Sequence, residues 1–139
     1  EEHDDVKAIY PIHMNPIVRQ AANEELGNCQ NLHIIAPLDV LDFHNFLARS
    51  YMILTDSGGV QEEAPSLGKP VLVMRDTTER PEGIAAGTLK LVGTDEQTIY
   101  DSFSLLLEND TEYSRMAKAN NPYGDGYASR RIADILAHV

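Results

Sequence analysis

Short apolar runs alternate along this chain with segments that carry helix signals. The strand-like runs occupy residues 6–10, 32–36, 51–55, 70–74 and 89–92. The helical segments are 16–26, 39–49, the stretch from the glycine pair 58–59 to Gly68, 95–107, 111–119 and 127–137. Alternation of this kind is typical of βαβ units. The pattern therefore predicts an α/β fold with a parallel sheet and helices on both faces.

The third apolar run ends in an unusual loop. It is followed by Asp56, Ser57, Gly58 and Gly59, so a strand is predicted to end on two glycines that open a helix. Glycines let the backbone approach a ligand closely, and the first N–H groups of a helix, with the positive end of its dipole, favour a phosphate. The simpler interpretation is a tight turn in which Ser57 only caps the helix.

The better-known motifs with glycines or an exposed serine do not match this loop. A P-loop is absent, because Gly68-Lys69 is followed by Pro70 and the earlier glycine position holds Glu63. The dinucleotide fingerprint Gly-x-Gly-x-x-Gly is absent as well. A nucleophile elbow would need glycine where Thr55 stands. Ser57 is therefore predicted to donate to a phosphate rather than to act as a nucleophile.

Other loops follow strands and should lie near the same sheet edge. In open parallel sheets, ligands bind outside the carboxyl ends of the strands. His13, the segment 37–43 and the loop 75–82 each follow a predicted strand. We expect them to converge with the glycine loop. His13 is either a ligand contact or a capped turn residue, and the sequence leaves both open.

Several charged and aromatic side chains near these loops have two interpretations. Glu62 is explained by the helix dipole alone, whereas Glu63, one turn into the helix, is placed to accept both hydroxyls of a ribose. Arg75 and Arg80 either pair with neighbouring acids or neutralise a diphosphate. Phe43 is either a core residue or a platform for a base.

Composition narrows the range of functions. The 139 residues fit one domain, and the formal net charge of −11 argues against nucleic-acid binding. The single Cys29 allows neither an internal disulfide nor a Cys/His zinc site. Neither a membrane-spanning run nor a secretory leader is predicted, so we expect a cytoplasmic protein. Because the first strand begins almost at the first residue, we also expect a fragment of a longer protein.

Four segments together resemble one enzyme family, the non-hydrolysing UDP-N-acetylglucosamine 2-epimerases of bacteria. They are YPIHMNP at 10–16, LTDSGGVQEEAPSLG at 54–68, RDTTERPE at 75–82 and NPYGDG at 121–126. The resemblance covers essentially the whole chain. It implies a two-domain enzyme of the GT-B fold. Residues 1–139 would be its carboxyl-terminal, Rossmann-like nucleotide-binding domain.

The resemblance also implies roles for particular residues. The diphosphate would rest on Ser57, Gly58 and Gly59, and the Glu63 position would hold the ribose hydroxyls. Arg80 would belong to the same site. Phe43 would pack on the uracil, and Leu38, where some members have glutamine, would line the nucleotide pocket. His13 corresponds to a position associated with a second, regulatory nucleotide-sugar site.

The family interconverts UDP-N-acetylglucosamine and UDP-N-acetylmannosamine without a redox cofactor or a metal. UDP is eliminated across C1–C2 of the sugar and added back after protonation of the opposite face. The catalytic carboxylates and histidine of the family lie upstream of this sequence, so no catalytic residue is predicted here. We expect the chain alone to bind UDP weakly and not to epimerise. Family members are commonly homodimers.

The sequence leaves two alternatives open. The first is another enzyme class on the same fold, either a GT-B glycosyltransferase or a hydrolysing epimerase that releases UDP and free N-acetylmannosamine. The second is a non-catalytic nucleotide-binding module. The partners predicted for the epimerase interpretation are UDP and a UDP-N-acetylhexosamine, with neither nucleic acid nor membrane involved.

Overall fold

The computed structural model describes residues 3–138. The chain forms two compact units, Glu1–Asn45 and Phe46–Val139, which are described separately. Helix α2, Val40–Arg49, carries the chain from the first unit into the second.

The first unit is a βαβ arrangement. Strand β1, Ala8–Pro11, pairs in parallel with β2, Leu32–Ile35. Helix α1, Pro16–Leu26, connects them and begins as its sequence predicts, because the Asn15 side chain accepts a hydrogen bond from the Ile17 N–H at 3.0 Å. The carboxyl end of β1 leads into His13, and the end of β2 leads into Leu38 and α2.

The second unit contains a three-stranded parallel sheet. Its order is β3, Ile53–Thr55, then β4, Val71–Val73, then β5, Leu89–Leu91. Helix α3, Gly58–Ser66, connects β3 to β4, and helix α4, Pro81–Ala86, connects β4 to β5. Because the strands are parallel, the loops that begin α3 and precede α4 leave the same edge of this sheet.

The core of this unit lies around its central strand. All three residues of β4 are fully buried. Leu72 of this strand packs in a cluster with Val92, with Leu106 of α5, Glu96–Glu108, and with Met116 of α6, Asp110–Ala117. A continuous apolar strand buried on both faces is expected at the centre of a parallel sheet. Helix α7, Ala128–Leu136, has no buried residue.

The predicted fold class is confirmed, since helices alternate with strands that pair in parallel. Helix α4 was not predicted, because six residues are too few to show a helical period. The strands form two sheets in the structure, so the expected convergence of all four loops and the single-domain organisation both stay predictions.

Candidate functional site

The glycine loop leads from β3 into α3 with its backbone open to solvent. Ser57 is exposed and extended, with φ −79° and ψ 130°, and its N–H donates to the Thr55 hydroxyl at 3.0 Å. Its side chain makes no capping hydrogen bond to the helix. The interpretation of Ser57 as a helix cap and nothing more is therefore not supported. The first N–H groups of α3 have no partner within the helix, as at any helix start.

The fold itself does not require glycine at the start of α3. Neither Gly58 nor Gly59 has a positive φ, so backbone conformation does not demand either residue. A Cβ at Gly58 would meet no atom within 4 Å, and one at Gly59 would lie 3.8 Å from Glu63 Oε1, an ordinary contact. The two glycines leave the helix start uncovered, which suits a ligand that approaches the backbone.

Two acidic residues of α3, Glu62 and Glu63, follow the glycine pair. The Glu63 side chain is exposed, and its Oε1 lies close to Gly59. Glu62 is half-buried and forms an ion pair with Arg80. The structure therefore places Glu63, the predicted ribose contact, at the glycine loop, and it gives Glu62 an interaction beyond the helix dipole.

The loop between β4 and α4 brings a cation to α3. Arg80 Nε donates to Glu62 Oε1, which joins the loop to the first two turns of the helix. Arg75 instead donates to both carboxylate oxygens of Glu79, at 2.8 and 3.0 Å. This hydrogen bonding holds the pKa of Glu79 below its ordinary value. Of the two arginines, only Arg80 forms an ion pair with the helix that follows the glycine loop.

In the first unit, the remaining predicted residues surround one cavity of about 250 Å³. His13, Leu38 and Phe43 line it together with three other residues, Pro11, Ile12 and Pro37. The walls are largely apolar, which suits the flat face of a base better than a charged group. Phe43 is half-buried, so it is not a core residue. His13 is also a turn residue, because its Nδ1 accepts the Asn15 N–H at 3.1 Å.

Sequence reasoning missed three side chains that support the second unit's loops. The Thr78 hydroxyl donates a hydrogen bond to the Gln61 side-chain oxygen. Tyr123 of the NPYGDG segment packs against Gly83 of α4, where a Cβ would lie 2.4 Å from the tyrosine hydroxyl oxygen. Burial raises the pKa of Tyr123. Only the NPYGDG motif signalled that this turn has a specific partner.

Two structural features are absent from residues 3–138. Over this range, no helix is long and apolar enough to cross a membrane. Within the same residues, no group of three or more His, Cys, Asp or Glu side chains is arranged to hold a metal ion.

Comparison with known proteins identifies the family of this chain. Residues 1–137 match the UDP-N-acetylglucosamine 2-epimerase family. The chain is 63% identical over 135 residues to the UDP-N-acetylglucosamine 2-epimerase of Bacillus subtilis and 54% identical over 134 residues to that of Escherichia coli K12. These alignments cover 97% and 96% of this chain. The chain spans 36% of the length of each relative.

Two solved structures superimpose closely on this chain. An S. aureus protein solved with UDP superimposes with a TM-score of 0.92 at 52% identity, covering 99% of this chain and 38% of that protein. The Neisseria meningitidis UDP-GlcNAc 2-epimerase, solved with UDP-GlcNAc, gives a TM-score of 0.88 at 50% identity, covering 96% of this chain and 36% of that protein.

The parallel strands and the structural neighbours define the class, a Rossmann-like α/β domain that corresponds to the carboxyl-terminal half of a GT-B-type fold. Within this class, the chain belongs to the UDP-N-acetylglucosamine 2-epimerase family. The resemblance seen in the four sequence segments is thereby confirmed.

Proposed function

We propose that this chain is the UDP-binding domain of a non-hydrolysing UDP-N-acetylglucosamine 2-epimerase, with the diphosphate held at the glycine loop. The observation that supports this most strongly is the start of α3. Its backbone is uncovered, and a Cβ added at Gly58 would meet no protein atom within 4 Å. The bound diphosphate would accept hydrogen bonds from the N–H groups there and would interact favourably with the helix dipole.

The charges around the loop suit a nucleoside diphosphate. Arg80 supplies the cation that a diphosphate needs in an acidic chain, and its guanidinium pairs with Glu62 of α3. Glu63 would accept hydrogen bonds from both ribose hydroxyls, since a carboxylate has two acceptor oxygens. The Ser57 hydroxyl would donate to a phosphate oxygen.

The apolar cavity of the first unit supports the roles proposed for the base and for regulation. Phe43 would stack on the uracil, and Leu38 would contribute apolar contact rather than a polar one. His13 would serve the second, regulatory nucleotide-sugar site, with its Nε2 facing the ligand because Nδ1 accepts the Asn15 N–H.

In the whole protein, the proposed reaction interconverts UDP-N-acetylglucosamine and UDP-N-acetylmannosamine by elimination and re-addition of UDP. This domain would hold UDP as the leaving group and then as the returning nucleophile. The acid and base groups near C2 and C3 of the sugar would come from the rest of the protein. Family membership also favours a cytoplasmic homodimer that requires no redox cofactor.

Titration calorimetry of the purified chain with UDP tests the proposed binding site. Arg80→Ala and Glu63→Ala should each weaken binding roughly tenfold or more, because each removes hydrogen bonds that involve a charged group. Arg75→Ala is the matched control, since it removes the same charge from the same loop at a residue paired with Glu79. Its affinity should stay within about twofold of wild type.

The assignment fails if Arg80→Ala and Glu63→Ala bind UDP as tightly as wild type. The same preparation should leave UDP-N-acetylglucosamine unchanged, and turnover near the rate of a whole relative would contradict the division of roles proposed here.

A further inference from the structure

A buried amide lies between the glycine loop and the arginine loop. Gln61 is polar but fully buried. Its Nε2 donates to the Ser57 carbonyl oxygen at 3.2 Å. Its Oε1 accepts a hydrogen bond from the Thr78 hydroxyl, with 2.5 Å between the two oxygens. An amide is buried at low cost only when its polar atoms are hydrogen bonded, and both ends of this one are.

The hydrogen bonds continue from Thr78 to Arg80. A threonine hydroxyl has one proton, and here that proton is donated to Gln61, so the oxygen is left to accept. It accepts the Arg80 backbone N–H at 3.0 Å. A continuous path therefore runs from the Ser57 carbonyl, through the Gln61 amide and the Thr78 hydroxyl, to the backbone of Arg80.

The exposed ion pair does not replace this path. Arg80 and Glu62 have side chains that are 34% and 42% exposed, and solvent screens such pairs and leaves them some freedom. Helix α3 is also short of internal hydrogen bonds. Pro65 lies inside it and has no N–H to offer the Gln61 carbonyl. The Gln61 side chain is thus a directional connection that holds the start of α3 in register with the arginine loop.

We propose that Gln61 and Thr78 are positioning residues that set the distance between the anion-binding backbone of the glycine loop and Arg80. The proposal rests on the function proposed above, because it assigns the two loops to one diphosphate. Neither residue needs to touch the ligand. Their effect on UDP binding passes through Ser57 on one side and Arg80 on the other.

Thr78 offers a matched pair of variants. Thr78→Val keeps the shape but leaves Gln61 Oε1 without its donor and the Arg80 N–H without its acceptor, so UDP should bind roughly tenfold more weakly. Thr78→Ser keeps the hydroxyl and should bind within about twofold of wild type. Position 78 is half-buried, and if Thr78→Val does not fold, Thr78→Ala carries the same comparison.

Two readouts separate positioning from a purely structural role. In UDP-free protein, Thr78→Val should move the backbone amide resonances of Gly58 and Gly59, whereas Thr78→Ser should leave them in place. In the Arg80→Ala background, Thr78→Val should weaken UDP binding by a smaller factor than it does in wild type, because the two residues act together.

Other results would overturn either the positioning role alone or the proposed function together with it. If wild type binds UDP and Arg80→Ala weakens binding, but Thr78→Val binds as wild type or its effect is merely additive, the positioning role is wrong and the proposed function stands. If Thr78→Val lowers the melting temperature without moving the Gly58 and Gly59 resonances, the positioning role is also wrong. If wild type does not bind UDP, the proposed function and this inference both fail.

Discussion

At the scale of the residue, glycine occupies different positions of this chain for different physical reasons. Gly87 has a φ of +82°, a left-handed conformation that favours glycine at the end of α4. Gly83 is required by packing, since a Cβ there would lie 2.4 Å from both Leu89 Cδ1 and the Tyr123 hydroxyl oxygen. At Gly58, neither backbone conformation nor packing requires glycine, which is why we propose that this residue serves ligand binding.

This distinction predicts opposite results for two alanine substitutions. Gly83→Ala should lower the free energy of unfolding by about 1–3 kcal/mol, because the added methyl forces Leu89 and Tyr123 to move. Gly58→Ala should change it by less than about 0.5 kcal/mol, as expected for a site without clashes. Urea denaturation of both variants measures the difference. Equal stabilities of the two variants would contradict the claim that packing requires glycine at position 83.

The sequence predicts local relations between residues better than distant ones. The glycine loop and Glu63 were placed together because one helical turn joins them. The contact of Gln61 with Thr78 was not predicted, although both residues lie in segments that carry the family resemblance. They are 17 positions apart, and their contact depends on how β3 and β4 pair, which the residues alone do not specify.

At the scale of the element, three helices begin directly after a residue whose side chain caps them. The side chains of Asn15, Asp95 and Asn109 each accept a backbone N–H at the start of a helix. Helix ends and partners are less predictable. The helical segment predicted at 127–137 contains α7, yet its apolar residues Ile132, Ile135 and Leu136 are exposed. Periodicity predicts that a helix has an apolar face, but not what that face contacts.

The cap of α5 predicts a dependence of stability on pH. The Asp95 carboxylate accepts the Thr98 hydroxyl at 2.7 Å and the Thr98 N–H at 2.8 Å, and these bonds hold its pKa below the ordinary 3.8. Because the folded pKa is lowered, the contribution of ionised Asp95 is present above 3.8 and is lost as the pH falls through the folded value.

Asp95→Asn is the matched comparison, since asparagine keeps an acceptor but does not titrate. On acidification below pH 3.8, the free energy of unfolding of wild type should fall more steeply than that of Asp95→Asn. Denaturant titrations at a series of pH values provide the measurement. Parallel acid profiles for the two proteins would show that the cap charge does not stabilise the helix.

At the scale of the whole molecule, net charge and local charge lead to different conclusions. The formal charge of −11 argues against a polyanion as ligand, but it does not describe the surroundings of the glycine loop. There, the N–H groups of a helix start and the Arg80 guanidinium lie in neighbouring loops and are donors suited to a small anion. A small anion is compatible with both observations. Since the chain spans 36% of the length of its curated relatives, the epimerase activity is proposed for the whole protein.

The central claim is that the start of α3 binds the diphosphate of UDP, and amide chemical-shift mapping tests it most directly. Titration with UDP should produce saturable shifts that are largest at Gly58 and Gly59, because their N–H groups would donate to the phosphates. Uridine, which lacks the diphosphate, should leave these resonances nearly unchanged. The account would be contradicted if UDP bound while the Gly58 and Gly59 amides stayed in place, or if uridine shifted them as much as UDP.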